Sequence, residues 1–472
     1  MISKNQELEG VVISIGSNGE GVVKADGVTV FVPFAITGEK IKYKVLKVTS
    51  KCAYGKLLEV LSPSRERVKP KCPVFGKCGG CDLQHVNYDF QLEIKRENVK
   101  NCFHKIAGIE TEVSQTVRCE NPWGYRNKLQ LPVAQYGEET AIGFYAENSH
   151  RVVAIDDCQI NPYWTKNVIA TLKAFMSKYR LKGYNEYDRS GDIREITVKE
   201  IGEKLIITLV TPKNKINGME RFPEMLSESL DKEFTLFVNK NDKETNVIYG
   251  DTFTKICGND FYYGESDGIK YKGGVLSFLQ VNGEMCAKLY SEVKNSIDSD
   301  ENTTVIDAYS GAGLMTALLA KNSKNAIGIE IIKEAVDCAD ELAELNGLSD
   351  KMKNYCGKCE ELLPEIIKKA KTDKLRLVLD PPRKGCEQPV IDAIRKSGIE
   401  RIVYVSCMPS TLARDVGLLC GTLKREENGA IIKSVPAESD YVVESVKPFD
   451  MFPATRHVET LVVLRKGIKA KA

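Results

Sequence analysis

VIDAYSGAGL (residues 305–314) is a short apolar run that leads into a turn with two glycines and then a helical segment. The apolar run predicts a buried β-strand. Gly311 and Gly313 let the backbone approach a nucleotide-like ligand closely. Glu330 ends the next apolar run, where a carboxylate can accept hydrogen bonds from both ribose hydroxyls. This order of strand, glycine turn, helix, strand and acid predicts a site for an adenosine-containing ligand.

The alternation of strands and helices continues to the C-terminus. Strands are predicted at residues 304–308, 325–331, 353–356, 375–379, 401–406, 430–435 and 458–464. The pattern predicts a doubly wound, Rossmann-like α/β domain over residues 286–472, and a final hairpin-like pair suits the methyltransferase variant of that fold. Thr316 stands where a dinucleotide fingerprint has its third glycine, which disfavours the alternative of an NAD-dependent oxidoreductase.

Three further segments carry reactive side chains at or near predicted strand ends. Cys407 follows the apolar run 402–405, Asp380 opens Asp-Pro-Pro-Arg after another strand, and Glu459 lies in PATRHVET near the C-terminus. Ligands of open α/β sheets bind at the carboxyl ends of the strands. A thiol nucleophile and two carboxylates in a methyl-donor fold suit methylation of a pyrimidine at carbon 5. The alternatives are a packing cysteine, a helix N-cap at Asp380 and a surface strand residue at Glu459.

Three cysteines stand close together in CPVFGKCGGC (residues 72–81), with the spacing C-x5-C-x2-C. Cys72, Cys78 and Cys81 form a competent metal-binding set, and either His85 or Cys158 is available as a fourth ligand. Four thiolates would hold zinc or an iron–sulfur cluster. Redox chemistry between Cys78 and Cys81, and a metal-free structural role, are the alternatives.

Two more domains are predicted before the methyltransferase domain. Short strands at residues 8–15, 21–24, 28–32, 40–48 and 53–61 predict a small OB-like β-barrel over residues 1–62, which would bind RNA or act as a structural cap. A mixed α/β central domain is predicted over residues 63–285. Its strands are placed at 125–134, 141–147, 151–155, 193–200 and 204–211, and its helices at 161–179 and 219–231.

Composition limits the function classes. The 472 residues carry a formal net charge of +2, so an RNA-binding surface must come from local clusters such as Arg126 and Lys128. Fifteen scattered cysteines argue against a secreted disulfide framework. The N-terminal residues lack a signal-peptide core and no stretch is apolar enough for a membrane span. We therefore expect a cytoplasmic protein with no membrane contact, and no obligatory protein partner is evident.

Taken together, these motifs resemble those of the bacterial S-adenosylmethionine-dependent RNA uracil-5-methyltransferases, most of all the branch that methylates 23S ribosomal RNA. The resemblance runs nearly end to end and identifies the N-terminal barrel as a TRAM domain. It implies a [4Fe-4S] cluster on Cys72, Cys78, Cys81 and Cys158. It also implies that S-adenosylmethionine contacts Gln280 in the segment SFLQVN, Tyr309, Gly311, Glu330 and Asp380.

The resemblance implies a role for each residue of the reactive set. Cys407 is the nucleophile, Glu459 the general base, and Asp380 contacts the target base. Lys358 departs from the pattern, because the family often places an adenine-contacting acid there. The expected function is methylation of carbon 5 of uridine in RNA, with 23S rRNA as the substrate. A tRNA uridine-5-methyltransferase and a non-catalytic RNA-binding assembly factor are the alternatives.

Overall fold

The computed structural model describes residues 2–244, 246–370, 374–437 and 440–467. Its first strands are Glu7–Val11 (β1), Ser14–Ile15 (β2), Gly21–Ala25 (β3), Val28–Val32 (β4), Lys40–Val48 (β5) and Ala53–Ser62 (β6). They form one sheet in the order β1-β5-β6-β4-β3-β2. Because β1 and β2 are two halves of one bent segment, joined through Val12 and Ile13, the sheet closes on itself. Alternate side chains such as Val23, Val30 and Ile41 fill its interior.

The middle of the chain folds around a second sheet. Its elements are α1 (Tyr88–Cys102), β7 (Lys128–Tyr136), β8 (Glu139–Tyr145), β9 (Val152–Ala154), α2 (Trp164–Tyr179), β10 (Glu195–Ile201), β11 (Lys204–Thr211), α3 (Phe222–Ser229), β12 (Phe234–Lys240), β13 (Thr252–Cys257), β14 (Phe261–Ser266) and β15 (Ile269–Gly274). The sheet order is β13-β12-β11-β10-β7-β8-β9, and β14 and β15 form a separate hairpin.

Helix α2 covers one face of this sheet because its apolar residues recur every three or four positions. Trp164, Val168 and Leu172 share a core with Leu129 and Leu131 of β7. Helix α1 lies elsewhere, although the sequence assigned it to the central domain. Its Val99 packs in the core of the C-terminal sheet.

The C-terminal part follows the predicted alternation. Its helices are α4 (Gly283–Ile297), α5 (Leu314–Lys321), α6 (Lys333–Leu345), α7 (Cys359–Lys369), α8 (Gln388–Lys396) and α9 (Pro409–Leu419). Its strands are β16 (Thr303–Ala308), β17 (Asn325–Glu330), β18 (Met352–Cys356), β19 (Lys374–Leu379), β20 (Arg401–Ser406), β21 (Leu423–Arg425), β22 (Ile431–Lys433), β23 (Tyr441–Phe449) and β24 (Glu459–Lys466).

Seven of these strands form one sheet in the order β18-β17-β16-β19-β20-β24-β23. Neighbours among the first five strands are parallel, while β24 is antiparallel to both β20 and β23. Successive residues of β16 pack on opposite faces: Val305 lies in a core with α4 and α5, and Ile306 in a core with α7, α8 and α9. Helices therefore cover both faces of the sheet.

One predicted strand of this sheet is wrong. Residues 430–435 were expected to supply its sixth strand, but β22 pairs only with β21 in a separate hairpin. Ile432 is exposed there, whereas Tyr441, Val446 and Phe449 of β23 are buried. The segment with buried side chains, β23, therefore takes the place in the sheet that residues 430–435 were predicted to fill. None of the helices in the described ranges combines the length and hydrophobicity that crossing a bilayer requires.

Candidate active site

The reactive residues predicted from the sequence meet at one edge of the C-terminal sheet. Asp380 directly follows β19 and Cys407 directly follows β20, and these strands are parallel neighbours. Glu459 begins β24, which runs the opposite way, so its first residue lies at the edge where the parallel strands end. The pairing of Ser406 with Thr460 puts Cys407 and Glu459 at adjacent positions.

Cys407 is half-buried and electrostatically coupled to its neighbours. Burial raises the pKa of its thiol, and the negative charge of Glu459 raises it further. The positive charge of the Arg383 guanidinium lowers this pKa and favours the thiolate. Arg414, the other candidate for this role in the sequence, donates to Asp415 Oδ1 (2.8 Å) and to the Lys384 carbonyl oxygen (2.7 Å). Of these two arginines, Arg383 is therefore the one that lowers the pKa of the Cys407 thiol.

The two carboxyl groups have pKa values near neutrality. Glu459 is 7% exposed, and burial together with the charge of Asp380 raises its pKa to about 8, while Arg383 lowers it. Burial raises the pKa of Asp380 to about 7. Asp380 nevertheless retains accessible surface, so a ligand can reach it. Glu459 is not a surface strand residue, and Asp380 caps no helix because α8 begins only at Gln388.

Hydrogen bonds connect the glycine turn after β16 to the end of β17. The backbone N–H groups of Gly311 (3.1 Å) and Ile332 (2.9 Å) donate to the Glu330 carboxylate. A Cβ atom at Gly313 would lie 2.6 Å from the Cβ of Ala339 in α6, so glycine is required there for helix packing. Nothing lies within 4 Å of a Cβ at Gly311. The turn therefore leaves open space at Gly311. This space lies next to the Glu330 carboxylate, which the two backbone hydrogen bonds hold in place.

Tyr309 and Lys358, both near the glycine turn, differ in exposure. Tyr309 is partly buried beside the thiols of Cys359 and Cys386, and burial raises its pKa. Lys358 precedes α7 and forms an ion pair with Glu361 (3.3 Å). Lys358 is exposed, and its ion-pair partner is a residue of the first turn of α7.

Gln280 lies on a segment that the central domain and the C-terminal domain hold jointly. Asn127 donates from its side chain to the Gln280 carbonyl oxygen (2.7 Å) and from its backbone to that of Val281 (2.8 Å). The buried Lys199 donates to the carbonyl oxygens of residues 275 and 277. On the other side, Asn282 caps α4 and donates to the Met451 carbonyl oxygen (3.2 Å).

Sequence reasoning missed Asn127 and Lys199. The one signal was Lys199 between Val198 and the end of strand β10, since burial of an ammonium group requires acceptors for its hydrogen bonds.

The four cysteines proposed as ligands line one cavity of about 160 Å³, although Cys158 is 77 residues from Cys81 in sequence. Burial raises the pKa of Cys81 to about 12 and that of Cys158 to about 11, and the neighbouring thiols add to both shifts. His85 is not among the lining residues: its ring packs against Phe34 and Phe75, and burial lowers its pKa to about 4. Of the two candidates for the fourth position, Cys158 lines this cavity and His85 does not.

A metal centre is nevertheless not confirmed. Within the described ranges, no three His, Cys, Asp or Glu side chains converge as the ligands of a bound metal ion do. What the structure shows is that the four cysteines line one cavity.

Comparison with known proteins gives consistent results. The family model described as tRNA (uracil-5-)-methyltransferase matches residues 87–467. Proteins named "uncharacterized RNA methyltransferase" from Clostridium acetobutylicum and Listeria monocytogenes are each 35% identical, over 98% of this chain and 98% of their own. The crystal structure of Pyrococcus abyssi tRNA (uracil-54, C5)-methyltransferase in complex with S-adenosyl-L-homocysteine has a TM-score of 0.75 and 26% identity. That match covers 97% of this chain and 99% of the archaeal one.

Proposed function

The chain belongs to the tRNA (uracil-5-)-methyltransferase family, and we propose that it methylates carbon 5 of a uridine in 23S ribosomal RNA through a covalent intermediate on Cys407. It is an S-adenosylmethionine-dependent RNA methyltransferase. The observation that carries the proposal is the convergence of Cys407, Glu459 and Asp380 at one edge of the sheet.

The mechanism begins at the thiol, because carbon 5 of uracil is by itself a weak nucleophile. The Cys407 thiolate, stabilised by Arg383, adds to carbon 6 and converts the ring into an enolate. S-adenosylmethionine, which Gln280, Tyr309, Gly311 and Glu330 would hold, supplies the electrophilic methyl group. Asp380 holds the base by hydrogen bonds to its edge.

The second half of the reaction restores the ring. The Glu459 carboxylate removes the proton from carbon 5, the bond between Cys407 and carbon 6 breaks, and the thiolate leaves. Burial prepares Glu459 for this step, because a pKa of about 8 makes it a stronger base than an exposed glutamate. A base inside folded RNA must leave its stack before it can reach this cleft.

Ribosomal RNA is proposed on the resemblance of the barrel and the four-cysteine set to the 23S rRNA branch. A tRNA substrate is the second candidate, and the similarity to the archaeal tRNA enzyme favours it. That enzyme aligns over nearly the whole of this chain, so the N-terminal barrel does not by itself separate the two substrates.

The experiment that tests the proposal supplies the purified protein with labelled S-adenosylmethionine and either 23S rRNA or tRNA, both from cells that lack 5-methyluridine. Nucleoside analysis should show label in 5-methyluridine from 23S rRNA only. Label in tRNA alone would establish the second candidate, and label in neither RNA would refute uridine methylation.

We also propose that the cavity lined by Cys72, Cys78, Cys81 and Cys158 holds a [4Fe-4S] cluster. Four sulfur ligands without a nearby histidine are the donor set that such clusters use. The four cysteines come from two separate segments of the chain and line the same cavity. The cluster would tie residues 72–81 to the central domain, and the methyl transfer itself requires no electron.

Anaerobically purified protein is therefore expected to contain about four irons per chain and to absorb visible light. Cys158→Ser should lose most of the iron, because it removes the ligand that comes from outside the 72–81 segment. Cys338→Ser, at an exposed cysteine of α6, serves as the matched control and should keep it. Stoichiometric zinc, or equal iron in both variants, would contradict the assignment.

Replacement of Arg383 is expected to shift the pH dependence of catalysis. The guanidinium lowers the pKa of both Cys407 and Glu459, so Arg383→Gln raises both values. Both groups act in their deprotonated forms, so activity falls as the pH falls, and the variant needs a higher pH to reach the same rate. At pH 7 we expect a loss of about tenfold, the effect of one pKa unit.

The measurement is the rate of methyl transfer between pH 6.5 and 9.5. Arg383→Lys keeps the positive charge, so its pH profile should lie between those of Arg383→Gln and the wild-type protein. A profile for Arg383→Gln that is lower at every pH but unshifted would contradict the role given to Arg383.

A further inference from the structure

A cavity of about 990 Å³ lies on the central sheet and has no part in the proposed mechanism. Residues of β7, β8, β9 and β10 and the segment around 184–187 line it. In β7, Leu129, Leu131 and Val133 pack in the core beneath α2, so Gln130 and Pro132 face the opposite side and form part of the cavity floor. The volume is at the upper end of the range for small-ligand sites and is ample for a nucleotide.

Tyrosine rings dominate the walls of this cavity. Tyr136 and Tyr145 are each nearly half exposed, and Tyr187 is 97% exposed. Tyr187 belongs to a tight turn in which the Asn185 side chain accepts from the Tyr187 backbone N–H (2.9 Å). The Ser190 backbone N–H donates to the Asp188 carboxylate (2.9 Å) in the same turn. An exposed aromatic ring on a turn that is held in shape is a ready stacking surface for a nucleobase.

A partly buried carboxyl group, that of Glu195, lines the cavity. Among the described residues, the Glu195 side chain has no hydrogen-bonding partner, although Glu195 is only partly exposed. Burial raises its pKa to about 7, while Arg194 and Lys128 lower it. Glu195 keeps accessible surface within the cavity, so N–H donors of a ligand can hydrogen-bond to its carboxylate.

Strand β7 links this cavity to the catalytic cleft. Asn127, just before the strand, holds the backbone of the segment that carries Gln280. The cavity-lining residues of the strand follow from Gln130 onward, on the order of 10 to 30 Å away at about 3.3 Å per residue. Lys128 stands between the two sites. Burial lowers its pKa most, Arg126 lowers it further, and Glu195 raises it. The distance between the sites is one that a single RNA strand covers in a few nucleotides.

We propose that this cavity binds a second, unpaired base of the RNA substrate, stacked on tyrosine and held through its N–H groups by Glu195. The inference rests on the proposed RNA-methylating function. Guanine matches the site best, because its adjacent imino and amino N–H groups can donate to both oxygens of one carboxylate. The target uridine occupies the catalytic cleft, so the cavity contributes affinity and sequence preference rather than chemistry.

The test uses the full-length protein and the RNA that it methylates. Tyr187→Ala removes an exposed ring, and Glu195→Gln removes an acceptor oxygen. The matched controls are Tyr163→Ala, at an exposed tyrosine preceding α2, and Glu228→Gln, on the exposed side of α3. For each variant, kcat and KM for RNA are measured, together with the dissociation constant of S-adenosylhomocysteine.

We expect Tyr187→Ala and Glu195→Gln each to raise KM for RNA by on the order of tenfold, the usual effect of losing one base contact. We expect kcat and donor affinity to stay within twofold, and both controls to match the wild type. Ultraviolet crosslinking followed by mass spectrometry should place a guanosine on a peptide that contains Tyr145 or Tyr187, and Glu195→Gln should weaken that crosslink.

The failure of this inference is distinguishable from failure of the proposed function. If the wild-type protein methylates RNA but the cavity variants keep the wild-type KM, the cavity serves another class of ligand and the inference is overturned. Crosslinks confined to the catalytic cleft would overturn it as well. Absence of 5-methyluridine in every RNA tested would instead refute the function on which it rests.

Discussion

Cys407→Ala is expected to abolish methyl transfer, with a loss on the order of 10⁴-fold or more, because without the thiolate carbon 5 stays unreactive. No neighbouring thiol can substitute. Cys286 and Cys386 are buried, and burial raises the pKa of each to about 12, so neither supplies thiolate at neutral pH. Folding and donor binding should persist, since Cys407 is only half-buried and follows β20 rather than forming part of it.

Three measurements check this expectation: transfer of labelled methyl groups to RNA, thermal unfolding, and calorimetric titration with S-adenosylhomocysteine. Cys338→Ala, which removes an exposed thiol of α6, controls for cysteine loss in general and should retain full activity. Turnover by Cys407→Ala within tenfold of the wild-type rate would show that the nucleophile is another residue.

Glu459→Gln is expected to stop the reaction at a later stage and to trap the enzyme on its substrate. Glutamine keeps the shape of glutamate but lacks a basic oxygen, so the proton on carbon 5 has no acceptor after methyl transfer. Addition of the Cys407 thiolate to carbon 6 should not be slowed. The charge of Glu459 raises the pKa of Cys407, so the loss of that charge favours the thiolate. Methylated RNA should therefore accumulate in covalent linkage to the protein.

The adduct should survive denaturing electrophoresis and carry label from the methyl donor. A variant with both Cys407→Ala and Glu459→Gln should form none, which assigns the linkage to the thiol. Normal turnover by Glu459→Gln would refute the role of general base. An inactive variant without adduct would place the action of Glu459 before methyl transfer, in orienting the base.

Much of the C-terminal fold could be predicted because its signals are local. An apolar run such as 305–308 ends at a glycine turn, and this pattern depends only on neighbours in sequence. Asp380 and Cys407 could be placed together for the same reason, since parallel strands end at a common edge. The prediction at residues 430–435 failed because it depended on distant contacts. A short segment with β propensity does not show whether it pairs with the main sheet or with a neighbouring strand in a separate hairpin.

The candidate site was less accessible from sequence wherever it depends on contacts between distant segments. Arg383 and Arg414 are equivalent choices in the sequence, and only the structure shows Arg414 engaged with Asp415. The sequence likewise left both His85 and Cys158 as candidates for the fourth ligand beside the three cysteines of residues 72–81. Asn127 and Lys199 belong to no motif, yet they hold the segment that carries Gln280.

The sequence by itself predicted most of the strand–helix order of the C-terminal domain, the glycine turn with Glu330, and the candidate reactive groups. These features follow from residue spacing and side-chain chemistry within short stretches. Only the tertiary structure decided that β24 runs antiparallel beside β20, so that Glu459 meets Cys407, and that Cys158 joins the cysteines of residues 72–81. Strand direction and long-range packing depend on which buried surfaces fit together, and no short stretch of sequence contains that information.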